Sequence, residues 1–90
     1  MSRAVIRLPR LLEPAIGNVR RVEVEGETFL QALDDLFRQY PTLQVHLLNE
    51  QGMLRHHVSC FYNGQANREL ADHGLSDGDE ITFLQAVSGG

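Results

Sequence analysis

A single cysteine, Cys60, stands in this chain of 90 residues, so no disulfide can form within it. That fits a reducing compartment. Long apolar runs are missing too. The opening stretch MSRAVIRLPRLLEP is interrupted by Pro9 and by charges, so no signal peptide or membrane span is expected and the cytoplasm is the expected location. The net charge is only −4. A protein that grips a phosphate backbone needs a clustered basic face, so nucleic acid is not an expected partner. A partner with a basic or apolar docking surface suits this mild acidity better. The chain also lacks repeats, linkers and low-complexity tracts.

What is there describes one small globular domain, 42% apolar, able to bury a core with little surplus stability. Residues 3–8, RAVIRL, alternate and read as a strand, with Ile6 on one face and Arg3, Val5 and Arg7 on the other. Pro9 ends it. After a loop with two prolines and Gly17-Asn18, residues 19–25 read as a second strand that points Val22 and Val24 one way and Glu23 and Glu25 the other. The two strands suggest a hairpin with a long loop.

In GETFLQALDDLFRQYP, residues 26–41, Phe29, Ala32, Leu33, Leu36, Phe37 and Tyr40 recur at helical spacing. Asp34, Asp35 and Arg38 fall on the other side. Thr28 and Gln31 have the spacing of a capping box, and Pro41 stops the helix near residue 39 or 40. A short second helix is expected at about 43–48. Residues 56–64 are strand-like and end on the turn signal Asn63-Gly64. QANREL holds a short edge strand. A tight turn at Ser76-Asp77-Gly78-Asp79 precedes a last strand at about 80–87. One amphipathic helix covering one sheet face gives a two-layer α+β domain with the other face wet.

Internal chemistry is hard to find. His57 and Cys60 lie three apart on an expected strand and point to opposite faces, so they cannot chelate one ion. His46, His56, His57 and His73 read as surface histidines near strand ends, and no metal site is expected. Cys60 shares the inward phase of Val58 and Tyr62, the place of an inert small hydrophobe. DGDE, residues 77–80, lacks the calcium-loop pattern and reads as a turn. Asp34 and Asp35 read as a solvated face, and Glu13, Glu23, Glu25 and Glu27 as surface charge. No Ser-His-Asp arrangement and no phosphate-binding glycine loop stands out. An independent enzyme is therefore not expected.

That leaves QAVSGG, residues 85–90. A carboxylate behind two glycines is unhindered, and a backbone without Cβ atoms can approach another protein's catalytic groups closely. A free carboxylate is a poor electrophile; an acyl adenylate is a good one. Nothing in this chain could make that conversion, so the terminus reads as the substrate of an ATP-using enzyme.

The β-β-α-β order with terminal Gly-Gly resembles the ubiquitin-like sulfur-carrier proteins, the β-grasp family of the molybdopterin synthase small subunit and the thiamin-pathway carrier. The resemblance spans essentially the whole chain and is carried by GETFLQALDDLFRQYP, VSCFYNG and LSDGDEITFLQAVSGG. The opening LPRLLEPAIG resembles the branch that supplies sulfur for cysteine or secondary-metabolite biosynthesis. Gln85 departs from the pattern, since many members have proline near this point. The resemblance implies a mixed sheet of four to five strands on one main helix, with a β-grasp domain at 1–87 and a flexible tail at 88–90. It implies that an E1-like enzyme, using ATP and Mg²⁺, adenylates Gly90, that Gly89 gives clearance in the channel, and that a thiocarboxylate forms. The protein would bind no cofactor itself. Implied partners are that activating enzyme, a downstream sulfur-accepting synthase, and a metalloprotease that trims or releases the product. The alternatives are a modifier joined through Gly90 to target lysines, or a non-catalytic small subunit of a molybdopterin-synthase-like complex.

Strand phase suggests where partners dock. Ile81 and Phe83 are expected to face inward; Thr82, Leu84 and Ala86, with Ser59 and Phe61, face outward. Phe61 and Leu84 then form an apolar patch on the open face, with Ala86, Val87 and Ser88 leading into the channel mouth. Exposed apolar patches often mark partner sites, although scattered apolar surface is also ordinary.

Overall fold

A computed structural model describes residues 1–10 and 16–85. Within these residues the chain forms β1 (Ser2–Arg7), β2 (Arg21–Gly26), helix α1 (Phe29–Gln39), helix α2 (Thr42–Leu47), β3 (Val58–Tyr62), β4 (Gln65–Ala66) and β5 (Asp79–Gln85). The expected order is present, with boundaries displaced by a residue or two. The end of the expected last strand, Ala86 and Val87, lies outside the described residues, as do Glu13 and Ser88–Gly90.

The strands make one mixed sheet in the order β2-β1-β5-β3-β4. β1 and β2 pair antiparallel from Ser2–Gly26 to Arg7–Arg21. β5 lies in the middle, parallel to β1 and antiparallel to β3. A parallel pair needs a long crossover, and the segment carrying α1 supplies it. Alternation then sorts the side chains. Ala4, Ile6, Val22, Val24, Val58, Cys60, Ile81 and Phe83 are buried and pack with Phe29, Ala32, Leu33 and Leu36 of α1. α2 adds Leu43 and Leu47 to the same core.

The start of α1 has its free backbone N–H groups met one by one. Thr28 Oγ1 accepts the Gln31 N–H at 3.2 Å, as the capping-box spacing suggests. The reciprocal bond is displaced: Gln31 Oε1 accepts the Glu27 N–H at 2.8 Å, one residue before the cap. The Phe29 N–H donates to the His73 carbonyl at 2.8 Å, and the Leu30 N–H to Asp72 Oδ1 at 3.0 Å. The Leu30 bond first, then hydrogen bonds from the His73 N–H and Thr28 and the nearby His73 ring, outweigh burial and hold the exposed Asp72 carboxyl below its ordinary pKa. At Gly26, a Cβ would come within 2.9 Å of Gln31 Cβ and 3.0 Å of the Ala32 nitrogen, so a glycine is needed where β2 passes under α1. The Asn63-Gly64 turn has φ of 48° and 86°, both positive as a tight two-residue hairpin turn requires.

Two expectations are corrected. Asp35 is not part of a solvated face: its side chain is 19% exposed and accepts the Glu25 N–H at 2.9 Å. Gln39 donates to the Glu23 carbonyl at 3.0 Å. Together they occupy outward backbone groups of edge strand β2, which blunts it against pairing with another strand. His73 is half-buried and not a surface histidine, because its ring sits 4.1 Å from Tyr62 and 5.1 Å from Phe29, centroid to centroid. The segment between the edge strand and the helix forms a groove of about 650 Å³, lined by charges of both signs.

Candidate functional site

β5 ends at Gln85, opposite Val58 of β3. The end of this central strand is paired with β3 alone, since the β1 ladder stops at Arg7–Thr82. His56 and His57 lie just before Val58, at this same end of the sheet, with ring centroids 5.2 Å apart. Gly89 and Gly90, and the expected channel-mouth residues Ala86, Val87 and Ser88, lie outside the described residues.

The open sheet face beside this strand end carries the expected patch. Leu84 is 50% exposed and Phe61 partly exposed. Phe61 stands opposite Thr82, and Leu84 opposite Ser59. Phe61 and Leu84 are therefore diagonal neighbours on one face, about 7–8 Å apart in such a register. One ion pair stands beside them: Arg7 pairs with Glu80 at 3.1 Å on the same face. A second pair, Arg3 with Glu25 at 3.2 Å, lies further off on β1 and β2. Exposed pairs of this kind contribute little stability but give a docking partner a charge pattern to match.

The other end of β5 is fixed by a polar lock that sequence reasoning missed. Asp79 is buried. Its carboxylate accepts the Tyr62 hydroxyl, the Asn63 side-chain amide at 3.1 Å and the Ser76 N–H at 2.8 Å. Burial pushes the Asp79 carboxyl upward, but the bonds from Tyr62, Ser76 and Asn63, with His73 nearby, outweigh it and hold the group below its ordinary value. The same Tyr62 bond, with burial and the Asp79 charge adding to it, pushes the phenol up to about 12. The missed signal was strand phase: carried back from Phe83 and Ile81, it puts Asp79 inward, where a carboxylate demands partners.

Among the described residues no group of three or more His, Cys, Asp or Glu side chains is placed to hold a metal ion. Cys60 is buried, and burial pushes its thiol up to about 12. The described surface thus brings together the paired end of β5, an apolar patch beside it and one exposed ion pair.

Residues 6–90 match the model of the ThiS family. This chain belongs to the ThiS family. The relatives it matches are a sulfur carrier and a small modifier protein. The chain is 30% identical over 90 residues to the sulfur carrier protein CysO of Mycobacterium tuberculosis, covering 94% of this chain and 96% of that protein. It is 33% identical over 81 residues to small archaeal modifier protein 1 of Haloferax volcanii, covering 89% and 91%. The crystal structure of that modifier superposes with a TM-score of 0.82 over 99% of this chain and 100% of the other, at 28% identity. A chain of the Amycolatopsis orientalis BexX/CysO complex superposes with a TM-score of 0.78 at 26% identity, covering 97% and 99%. The mixed five-stranded sheet with its helices is thus the β-grasp fold of these ubiquitin-like proteins. No helix among the described residues is long and apolar enough to cross a membrane.

Proposed function

We propose that this protein carries sulfur on its C-terminal carboxylate. In the first step, the Gly90 carboxylate oxygen attacks the α-phosphorus of ATP in an E1-like partner that supplies Mg²⁺, and pyrophosphate leaves. A sulfide or persulfide sulfur then attacks the acyl carbon and AMP leaves, giving a thiocarboxylate; a persulfide donor must also have its S–S bond reduced. A downstream synthase consumes the sulfur, and a metalloprotease trims or releases the product. Gly89 supplies clearance in the partner's channel, Ala86, Val87 and Ser88 lie at its mouth, and Phe61 with Leu84 dock on the partner's surface. The cytoplasm is the location that suits this chemistry. Cysteine, thio-metabolite and cofactor synthesis are the pathways this carrier could serve.

The observation that carries this reading is the similarity to CysO across nearly the full length of both chains. The exposed Phe61–Leu84 face beside the root of the tail supports it. A second reading, a modifier whose Gly90 is joined to lysines on target proteins, is favoured by the similarity to small archaeal modifier protein 1. Both begin with adenylation and differ in the nucleophile that follows.

ATP–pyrophosphate exchange with the activating enzyme tests the shared first step. The whole chain should support exchange, and the chain lacking Gly90 should not, with its circular dichroism unchanged because a terminal residue contributes few packed contacts. Equal exchange by the truncated chain would overturn Gly90 as the reacting residue.

A further inference from the structure

We propose that the helix layer carries a second docking site, a cleft that takes a basic amphipathic helix of a partner protein. The cleft lies between α1, the end of α2 with the turn after it, and the loop that follows β4. Phe61 and Leu84 stand elsewhere, on the open face of the sheet. The site is independent of the chemistry of Gly90.

α1 supplies the first wall. Leu30, Leu33, Asp34 and Phe37 recur at i, i+3, i+4 and i+7, which lines them along one face of the helix. Leu33 is buried, Phe37 partly exposed and Leu30 39% exposed. Leu48 and Leu70, both buried, close the floor of a cavity of about 310 Å³. Met53 is next in the chain to Gly52, which also lines the cavity, and is 56% exposed. Single exposed apolar side chains are ordinary; apolar surface gathered at one concavity marks a partner site.

The second wall is fixed in advance. Asn67 Nδ2 donates to the Ala71 carbonyl at 3.1 Å, and Asn67 Oδ1 accepts the Ala71 N–H at 2.9 Å. Inside that brace Leu70 holds a φ of 54°, a left-handed conformation that leucine seldom adopts. Walls that are already ordered lose little entropy when a partner binds.

Charge decides what fits. Asp34 and Glu69, one on each wall, are both exposed. Among the described residues neither has an ion pair or a side-chain hydrogen bond; Arg38, one turn along α1, pairs with Asp35 at 3.7 Å instead. Among the same residues no basic side chain lines the cleft. The occupant therefore brings an apolar side chain for the floor and lysine or arginine for the two carboxylates. A second copy of this chain brings the wrong charge, since a twofold contact here sets Asp34 and Glu69 of one copy against those of the other. An extended strand has no ladder to join, because the walls offer side chains. A helix presents side chains alone and suits such a groove.

The test is an NMR titration of the whole ¹⁵N-labelled protein with two synthetic helical peptides, each longer than about 15 residues so that the helix holds. Both carry leucines at i, i+3, i+4 and i+7; one has lysine elsewhere and the other glutamate. The lysine peptide should give saturable shifts at the amides of Leu30, Asp34, Phe37, Glu69 and Leu70, and the glutamate peptide should bind at least roughly tenfold more weakly. The double variant Asp34→Lys, Glu69→Lys should reverse that preference. The double variant Glu23→Lys, Glu27→Lys changes net charge equally at exposed sites outside the cleft, and should keep the parent's affinity within about twofold, as should Leu84→Asp, because distant sites act independently. Equal affinity for both peptides, no saturation, shifts centred on Phe61 and Leu84, or equal losses in the two double variants would each overturn the proposal. Cleft shifts that grow with protein concentration alone would overturn it too, by making the cleft a contact between copies.

Discussion

Tyr62, the last residue of β3, donates its hydroxyl hydrogen to Asp79, the first residue of β5. The bond spans the pair of strands from which the tail emerges, and Asn63 and Ser76 donate to the same carboxylate. Tyr62→Phe keeps the ring against Phe29 and His73 while removing the donor. It should cost about 1–3 kcal/mol, the range for depriving a buried charged acceptor of a partner. Asp79→Asn should cost a similar amount. Urea unfolding of both variants and the double variant should show that the losses do not add, because one change removes the donor of a bond whose acceptor the other strips of its charge.

The same lock sets a pH dependence. The Asp79 carboxyl titrates below its ordinary value in the folded protein. A depressed folded pKa contributes stability that is present above the unfolded pKa and is lost as pH falls through the folded one. Unfolding midpoints should therefore fall on acidification below the ordinary carboxylate range, and Asp79→Asn should flatten that part of the profile. At the other extreme, the Tyr62 phenol is raised from 10.0 to about 12. Its contribution is complete below the unfolded pKa and is lost as pH rises through the folded one, so Tyr62→Phe should flatten the alkaline limb.

Leu84 and Phe61 separate docking from folding. Leu84 is half-exposed, so Leu84→Asp should change stability by no more than about 0.5 kcal/mol, as surface substitutions usually do. Placed in a docking patch, the new charge should weaken binding to the activating enzyme by at least roughly tenfold, about 1.4 kcal/mol. Phe61→Ala should act in the same direction. Calorimetric titration of the activating enzyme with each variant measures this, with thermal unfolding as the control.

Asp72 stabilises α1 from a distance of 42 positions in sequence by accepting the Leu30 N–H. Asp72→Ala should destabilise the start of α1, as losing a helix cap does. Asp72→Asn should recover most of the loss, since an amide oxygen can accept the same bond. Amide hydrogen exchange at Leu30 should quicken in the alanine variant and stay near the parent rate in the asparagine variant.

What could be read from the sequence was what repeats locally. Val22 and Val24, Ile81 and Phe83, and the Phe29–Ala32–Leu33–Leu36 stripe announce their elements because one burial phase recurs every two or 3.6 residues. That phase was enough to put Phe61 and Leu84 together on the open face. It was not enough to pair β1 with β5, because nothing local to residues 4–7 or 79–82 specifies a partner 75 positions away. The cap from Asp72, the Asp77 bond to the Arg3 N–H across 74 positions and the lock on Asp79 escaped for the same reason: each is a single polar contact with no period. Asp35 was misread because a helix wheel shows which side of a helix a residue occupies and not that an edge strand lies alongside.

The central claim is that Gly90 leaves the activating enzyme bearing sulfur. Its most direct test is the intact mass of the protein after co-expression with that enzyme and a sulfur donor. The sulfur-carrier account predicts a species heavier by the exchange of one terminal oxygen for sulfur, absent when Gly90 is deleted. Conjugates to other proteins with no such species, at any stage of the reaction, would contradict it and leave the modifier reading in its place.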